Sequence, residues 1–123
     1  MGFEVAIGSI TEIQRVARAD DADQTVILIP TKELVFSSRV PDPAAHVGLT
    51  ELVAAETAAR RLVMERLEKA GIPVIDLLGP LRDSPESPYF EDADGHPNPG
   101  GHARIAREVQ AGLESRGTTS PGR

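Results

Sequence analysis

Apolar positions recur along the chain in two rhythms, one helical and one extended. Ile10, Ile13, Val16 and Ala17 repeat at helical spacing behind Ser9-Ile10-Thr11-Glu12. That tetrapeptide fits a capping box, in which serine and glutamate side chains satisfy free backbone N–H groups. The spacing predicts a helix over about Ser9–Ala19, with Phe3–Ile7 as either a short strand or an extension of it. The acidic turn Asp20-Asp21-Ala22-Asp23 closes that helix. Thr25-Val26-Ile27-Leu28-Ile29 is then apolar without alternation up to Pro30, as expected of a parallel strand covered on both faces. Thr31–Gly48 reads as a long connection holding Ser37, Ser38, Pro41 and Pro43.

Leu49–Ala70 carries the strongest helical pattern, with Leu52, Val53, Leu62, Val63 and Leu67 as its buried face. Glu56/Arg60 and Glu65/Lys69 support its exposed face at i,i+4 spacing, and Gly71 ends it as a C-cap. Ile72–Leu77 reads as a second buried strand entered through Pro73, with Asp76 in a structural role at its exit. A loop rich in Pro and Ser follows to Pro97. The last helix, Pro99 to about Leu113, is expected to bury Ile105, Ala106, Val109 and Leu113, with His102 packed on the same inner face.

The order helix–strand–helix–strand–helix predicts an α/β fold with a right-handed crossover through Leu49–Ala70. Two or three strands with three helices make only part of a doubly wound parallel sheet. Residues 1–114 are therefore expected to be the C-terminal part of a larger domain, or to complete their sheet against another chain. Residues 115–123 read as a polar, disordered tail.

Composition narrows the function classes. The 123 residues suffice for one small domain, and the apolar fraction of 40% with 3% aromatics implies an aliphatic core. Thirteen Lys+Arg against 19 Asp+Glu give a formal net charge of −6, which argues against nucleic acid or an anionic membrane as the main partner. No cysteine is present, so thiolate nucleophiles, disulfides and Cys-ligated zinc are excluded. No apolar run approaches the roughly 20 residues of a membrane helix, and no basic-then-apolar leader pattern is visible at the N-terminus. The compartment is left open.

Candidate chemistry concentrates in Tyr89–His102. Asp94 precedes His96 by two residues, close enough for a carboxylate to hold an imidazole in one tautomer, as a general base requires. Asn98 is a good N-cap and Pro99 suits the first helical position. His96 is thus expected just outside the positive end of a helix, where a neutral, proton-accepting imidazole is favoured. The bland alternative is an Asx-turn aspartate beside a surface histidine. Asp92 is the fallback orienter. Asp92, Asp94, His96 and His102 also form an oxygen and nitrogen donor set, but at a spacing that matches no specific metal motif. Neither a metal nor a cofactor is expected. Ser37 and Ser38 follow the C-terminal end of a strand, the side where α/β active sites gather. Lys32 there is either a lining residue of the same cleft or a solvated lysine, and His46 is a lone loop histidine.

From Val26 onward, Val26-Ile27-Leu28-Ile29-Pro30-Thr31-Lys32-Glu33, Gly71-Ile72-Pro73-Val74-Ile75-Asp76-Leu77 and Asp94-Gly95-His96-Pro97-Asn98-Pro99-Gly100-Gly101-His102 resemble the C-terminal half of an SGNH (GDSL-type) hydrolase domain. The resemblance implies a flavodoxin-like fold. It also implies a Ser-His-Asp triad in which His96 is the base and Asp94 its orienter. The substrate class it implies is an O-acylated small molecule or carbohydrate. One residue between Asp and His, where the commoner spacing has two, is similar to the branch related to polysaccharide O-acetyltransferases. The family's Gly-Asp-Ser nucleophile block and Gly-x-Asn oxyanion segment are absent from this sequence, and Gly8-Ser9 is no substitute. The reading is therefore a serine esterase or O-acyltransferase portion that lacks its nucleophile. The alternative is a noncatalytic α/β interaction module. Either way, an uncovered sheet edge is expected to favour association, with itself or with a partner.

Overall fold

The computed structural model describes residues 2–92 and 94–117. The elements are α1 (Gly2–Ala19), β1 (Val26–Leu28), α2 (Lys32–Phe36), α3 (Leu49–Lys69), β2 (Val74–Asp76), α4 (Leu78–Arg82) and α5 (Pro99–Gly117), with single 3₁₀ turns at Ser37–Arg39 and Pro43–Ala45. The architecture is α/β and mostly helical. Among the described residues its sheet has two strands paired in parallel, with Val26 opposite Val74, Ile27 opposite Ile75 and Leu28 opposite Asp76.

α1 is longer than the capping box predicts. Phe3, Ile7, Ile10, Gln14 and Ala17 face inward at alternating spacings of four and three, so one inner stripe runs straight through Ser9. A helix already propagating gains a bond per residue and has no reason to restart there. Glu12 turns instead to Arg15, at 2.6 Å. Ile13 and Val16, expected in the stripe, are exposed. Gln14 is buried and its amide donates to Gly71 O at 3.3 Å, tying α1 to the end of α3.

The inner stripe of α3 corrects another expectation. Leu49, Val53, Glu56, Arg60, Val63 and Leu67 face inward, while Leu52 and Leu62 are exposed. Glu56 and Arg60 do not pair with each other. Arg60 forms an ion pair with Asp76, and Glu56 accepts from Thr31. Glu65 pairs with Arg61 at 3.9 Å. α3 ends as expected at Gly71, whose φ of 67° completes a Schellman cap: Gly71 N donates to Glu68 O (2.9 Å) and Ile72 N to Leu67 O (2.9 Å).

The Thr31–Gly48 connection is not structureless. Thr31 accepts from Leu34 N at 3.3 Å and so caps α2. Leu34 and Val35 on this short helix are fully buried. Val35, Ile75, Leu77, Leu81 and Tyr89 form the core, with Phe36, Leu78 and Ile105 packed against it. This core lies at the C-terminal end of the strands. Asp76 has the structural role expected of it, accepting from Leu78 N at 3.0 Å to start α4. α5 begins at Pro99 as expected but buries Gly101 rather than Ala106, Leu113 or His102, all of which are exposed. It runs through Gly117. Ser115–Gly117, expected in a polar tail over 115–123, instead complete the last turn of α5, where Ser115 Oγ donates to Gly112 O at 3.0 Å, and residues 118–123 of that tail lie outside the described residues.

Among the described residues β1 has no strand on its outer side. Val26 N donates to Pro73 O (2.9 Å), and Leu28 O accepts from Leu77 N (3.1 Å). The backbone groups of Ile27 between them therefore point away from β2. Ile27 and Ile29 are 40% and 53% exposed, which leaves both an edge and part of a face uncovered.

Candidate active site

The loop from Tyr89 to Asn98 is closed at its base and carries the Asp94–His96 pair at its tip. Tyr89 and Pro97 form an antiparallel bridge, and Phe90 N donates to His96 O at 3.4 Å. Asn98 works in three directions. Its amide group donates to Ser87 O (2.7 Å) and Tyr89 O (3.0 Å), its Oδ1 caps α5 by accepting from Gly101 N (2.8 Å), and its backbone N–H donates to Pro88 O (3.0 Å). The expected N-cap is thus also the clasp of the loop.

Tyr89 anchors the loop from beneath. Its ring is buried and meets Phe36 edge-on at 6.3 Å, and its phenol donates to Pro30 O just past β1. Burial pushes the phenol pKa up, and the negative charges of Glu56 and Glu33 add to the effect. These contacts put the loop at the C-terminal end of β1, the side where ligands gather in open α/β sheets.

Within the loop, Asp94 N donates to Asp92 Oδ1 (2.8 Å), and His96 N donates to Asp94 Oδ1 (3.0 Å). The same Asp94 oxygen contacts His96 Nδ1. Both readings of Asp94 therefore hold at once: it closes an Asx turn and it faces the imidazole. Asp92 supports that turn instead of orienting His96. A carboxylate at Nδ1 favours the proton there and leaves Nε2 as the lone-pair nitrogen. The His96 side chain is 84% exposed and that of Asp94 47% exposed, so Nε2 is open to whatever approaches.

The Asp94 carboxyl is held below its ordinary value, chiefly by the His96 side chain, then by the His96 backbone N–H, with Lys32 adding a small effect in the same direction. Because the folded value is depressed, this contribution is present above the unfolded carboxylate range and lost as pH falls through the folded value. In a carbon-detected NMR titration, Asp94 should have a midpoint below the ordinary aspartate range and move up toward it in His96→Ala, which removes the imidazole but keeps the residue-96 backbone N–H. A midpoint at or above the ordinary range in the unsubstituted chain would contradict the contact.

The other candidates are placed as follows. Ser37 Oγ donates to Leu34 O (2.9 Å) and accepts from Arg82 (3.4 Å), which uses it to close α2. Ser38 is exposed. Neither hydroxyl is hydrogen-bonded to His96 among the described residues. Lys32 does belong to the site, donating to Phe90 O and, at 2.6 Å, to Asp92 O. His46 lies in an exposed turn, its N–H donating to Pro43 O. Among the described residues no three His, Asp or Glu side chains converge to hold a metal ion, and no helix is long and apolar enough to cross a membrane.

Tyr89, Thr31 and Glu56 also support the loop, from positions that no local motif joins to it. Thr31 had a signal, since a threonine before Lys32-Glu33-Leu34 is a helix start, but Pro30 made it look like the exit of a strand. No known protein family, curated protein or solved structure matches the chain.

Proposed function

We propose that the chain supplies the base and its orienter for ester hydrolysis or O-acyl transfer of the SGNH type. The contact of Asp94 with His96 Nδ1, on a clasped loop at the C-terminal end of β1, carries the reading. Its substrates are O-acylated small molecules or carbohydrates. His96 Nε2 takes the proton of a serine hydroxyl as that oxygen attacks the acyl carbon, then returns it to the leaving alkoxide. The Gly-Asp-Ser block that bears such a serine is absent from these 123 residues, so the serine comes from a segment that also extends the sheet. The flavodoxin-like fold belongs to the same proposal.

A second reading has its own observation. The free edge of β1 with Ile27 and Ile29 beside it suits a noncatalytic module that completes its sheet against a partner or a second copy. Hydrolysis of p-nitrophenyl acetate separates the two. The chain alone should show no turnover above background. The chain joined to a segment bearing a Gly-Asp-Ser strand end should turn the ester over. Robust His96-dependent hydrolysis by the chain alone would overturn the half-site reading and make Ser37 and Ser38 the first residues to replace.

A further inference from the structure

Lys32 occupies the first position of α2, with its stem partly buried. Its ammonium donates to two carbonyls of one loop, those of Phe90 and Asp92. The second of these belongs to the residue whose side chain accepts from Asp94 N. The anchor behind Lys32 is itself fixed. Thr31 N donates to Glu56 Oε1 at 3.0 Å, and Thr31 Oγ1 donates to the other oxygen of the same carboxylate. Glu56 stands on the inner stripe of α3, the longest helix among the described residues. Polar contacts and the Thr31–Lys32 peptide link therefore connect α3 through Glu56, Thr31 and Lys32 to the loop backbone and to Asp94.

We propose that Lys32 is a positioning residue for the Asp94–His96 pair: its ammonium ties the 90–92 backbone to the start of α2 and so holds the pair over the C-terminal end of β1. The Tyr89–Pro97 bridge and Asn98 close the base of the loop, but Glu91, Asp92, Asp94 and His96 are all exposed. Little packing opposes the entropy of that tip. Among the described residues, the two charge-assisted hydrogen bonds from Lys32 are the side-chain hydrogen bonds that reach the tip from another element. A compact ammonium with three donors suits two carbonyls that converge on one point, where a planar guanidinium fits less well. The consequence for turnover rests on the acyl-transfer reading, but the tether does not.

Lys32→Met keeps the length and apolar stem while removing the charge. In this variant amide exchange at His96 should quicken by about tenfold or more, and the Asp94 titration should move up toward the ordinary aspartate range. Far-UV circular dichroism should stay unchanged, the melting temperature should fall by only a few degrees, and Lys32→Arg should recover part of the loop protection. Unchanged exchange and titration at residues 94 and 96 in Lys32→Met would overturn the proposal. Should Lys32→Met fail to fold, the side-chain ammonium resonances of the unsubstituted chain decide, with exposed Lys69 as the internal reference. Slower solvent exchange at Lys32 than at Lys69 supports the tether, and equal exchange overturns it. Absence of His96-dependent turnover in the joined protein would sink the acyl-transfer reading and leave these NMR results standing.

Discussion

Replacing His96 with alanine, in the chain joined to a Gly-Asp-Ser segment, should lower acetyl ester turnover by about 10⁴-fold or more. A serine hydroxyl at neutral pH is a poor nucleophile, and its attack needs a base within hydrogen-bond reach when the C–O bond forms. His96 Nε2 is the open nitrogen of a ring whose other nitrogen is already engaged by Asp94. Alanine removes both the proton acceptor and the later proton donor. At about 1.4 kcal/mol per decade, a 10⁴-fold loss corresponds to roughly 5 kcal/mol of transition-state stabilisation. Asp94→Asn should cost a comparable factor by a different route. An asparagine amide can donate toward Nδ1, which favours the tautomer with its proton on Nε2 and silences the base. Steady-state kinetics of the two variants, beside far-UV circular dichroism to show intact folds, would check both. A loss of less than tenfold in His96→Ala would remove His96 from the chemistry.

The second large effect is on stability. A methyl group at Gly101 would lie 1.9 Å from Pro88 O and 2.8 Å from Pro88 C. Neither partner can yield cheaply. Pro88 is fully buried, its carbonyl accepts from Asn98 N, and Tyr89 beside it is a core residue. The start of α5 would have to lift off the loop, breaking the Asn98 clasp that holds the His96 turn closed. Gly101→Ala should therefore cost about 3 kcal/mol or more, a large share of the roughly 5–15 kcal/mol that a small domain has in all. Thermal unfolding should show a drop of roughly 10 °C or more. Gly79→Ala is the control, since a methyl there meets nothing within 4 Å. A Gly101→Ala protein that melts with the unsubstituted chain would show that α5 and Pro88 do not meet as described.

The parallel strands, the long α3, its Gly71 cap and the Asn98–Pro99 start of α5 were legible because each rests on local chemistry. A continuous β-branched run, a glycine at φ > 0 and an N-cap before proline need no knowledge of the rest of the fold. The faces of the helices were not legible to the same degree. α3 turns Glu56 and Arg60 inward because Thr31 and Asp76 await them, and an apolar count cannot see a charged residue with a buried-side partner. α5 turns a glycine inward because its closest neighbour is backbone, so His102 is displaced to the surface. α2 was hidden inside a connection because its two core residues, Leu34 and Val35, are too few to show a period. For the site, the two-residue spacing of Asp94 and His96 was sufficient to expect their contact. The supports beneath them come from residues far away in sequence, and only the fold brings those together.

Turnover of p-nitrophenyl acetate by the joined protein, measured with and without His96→Ala, decides whether His96 and Asp94 act as base and orienter. Turnover should depend on His96, with none above background from either segment alone. A folded joined protein that keeps the Asp94–His96 contact, yet turns over no ester or turns it over equally well without His96, would contradict that assignment.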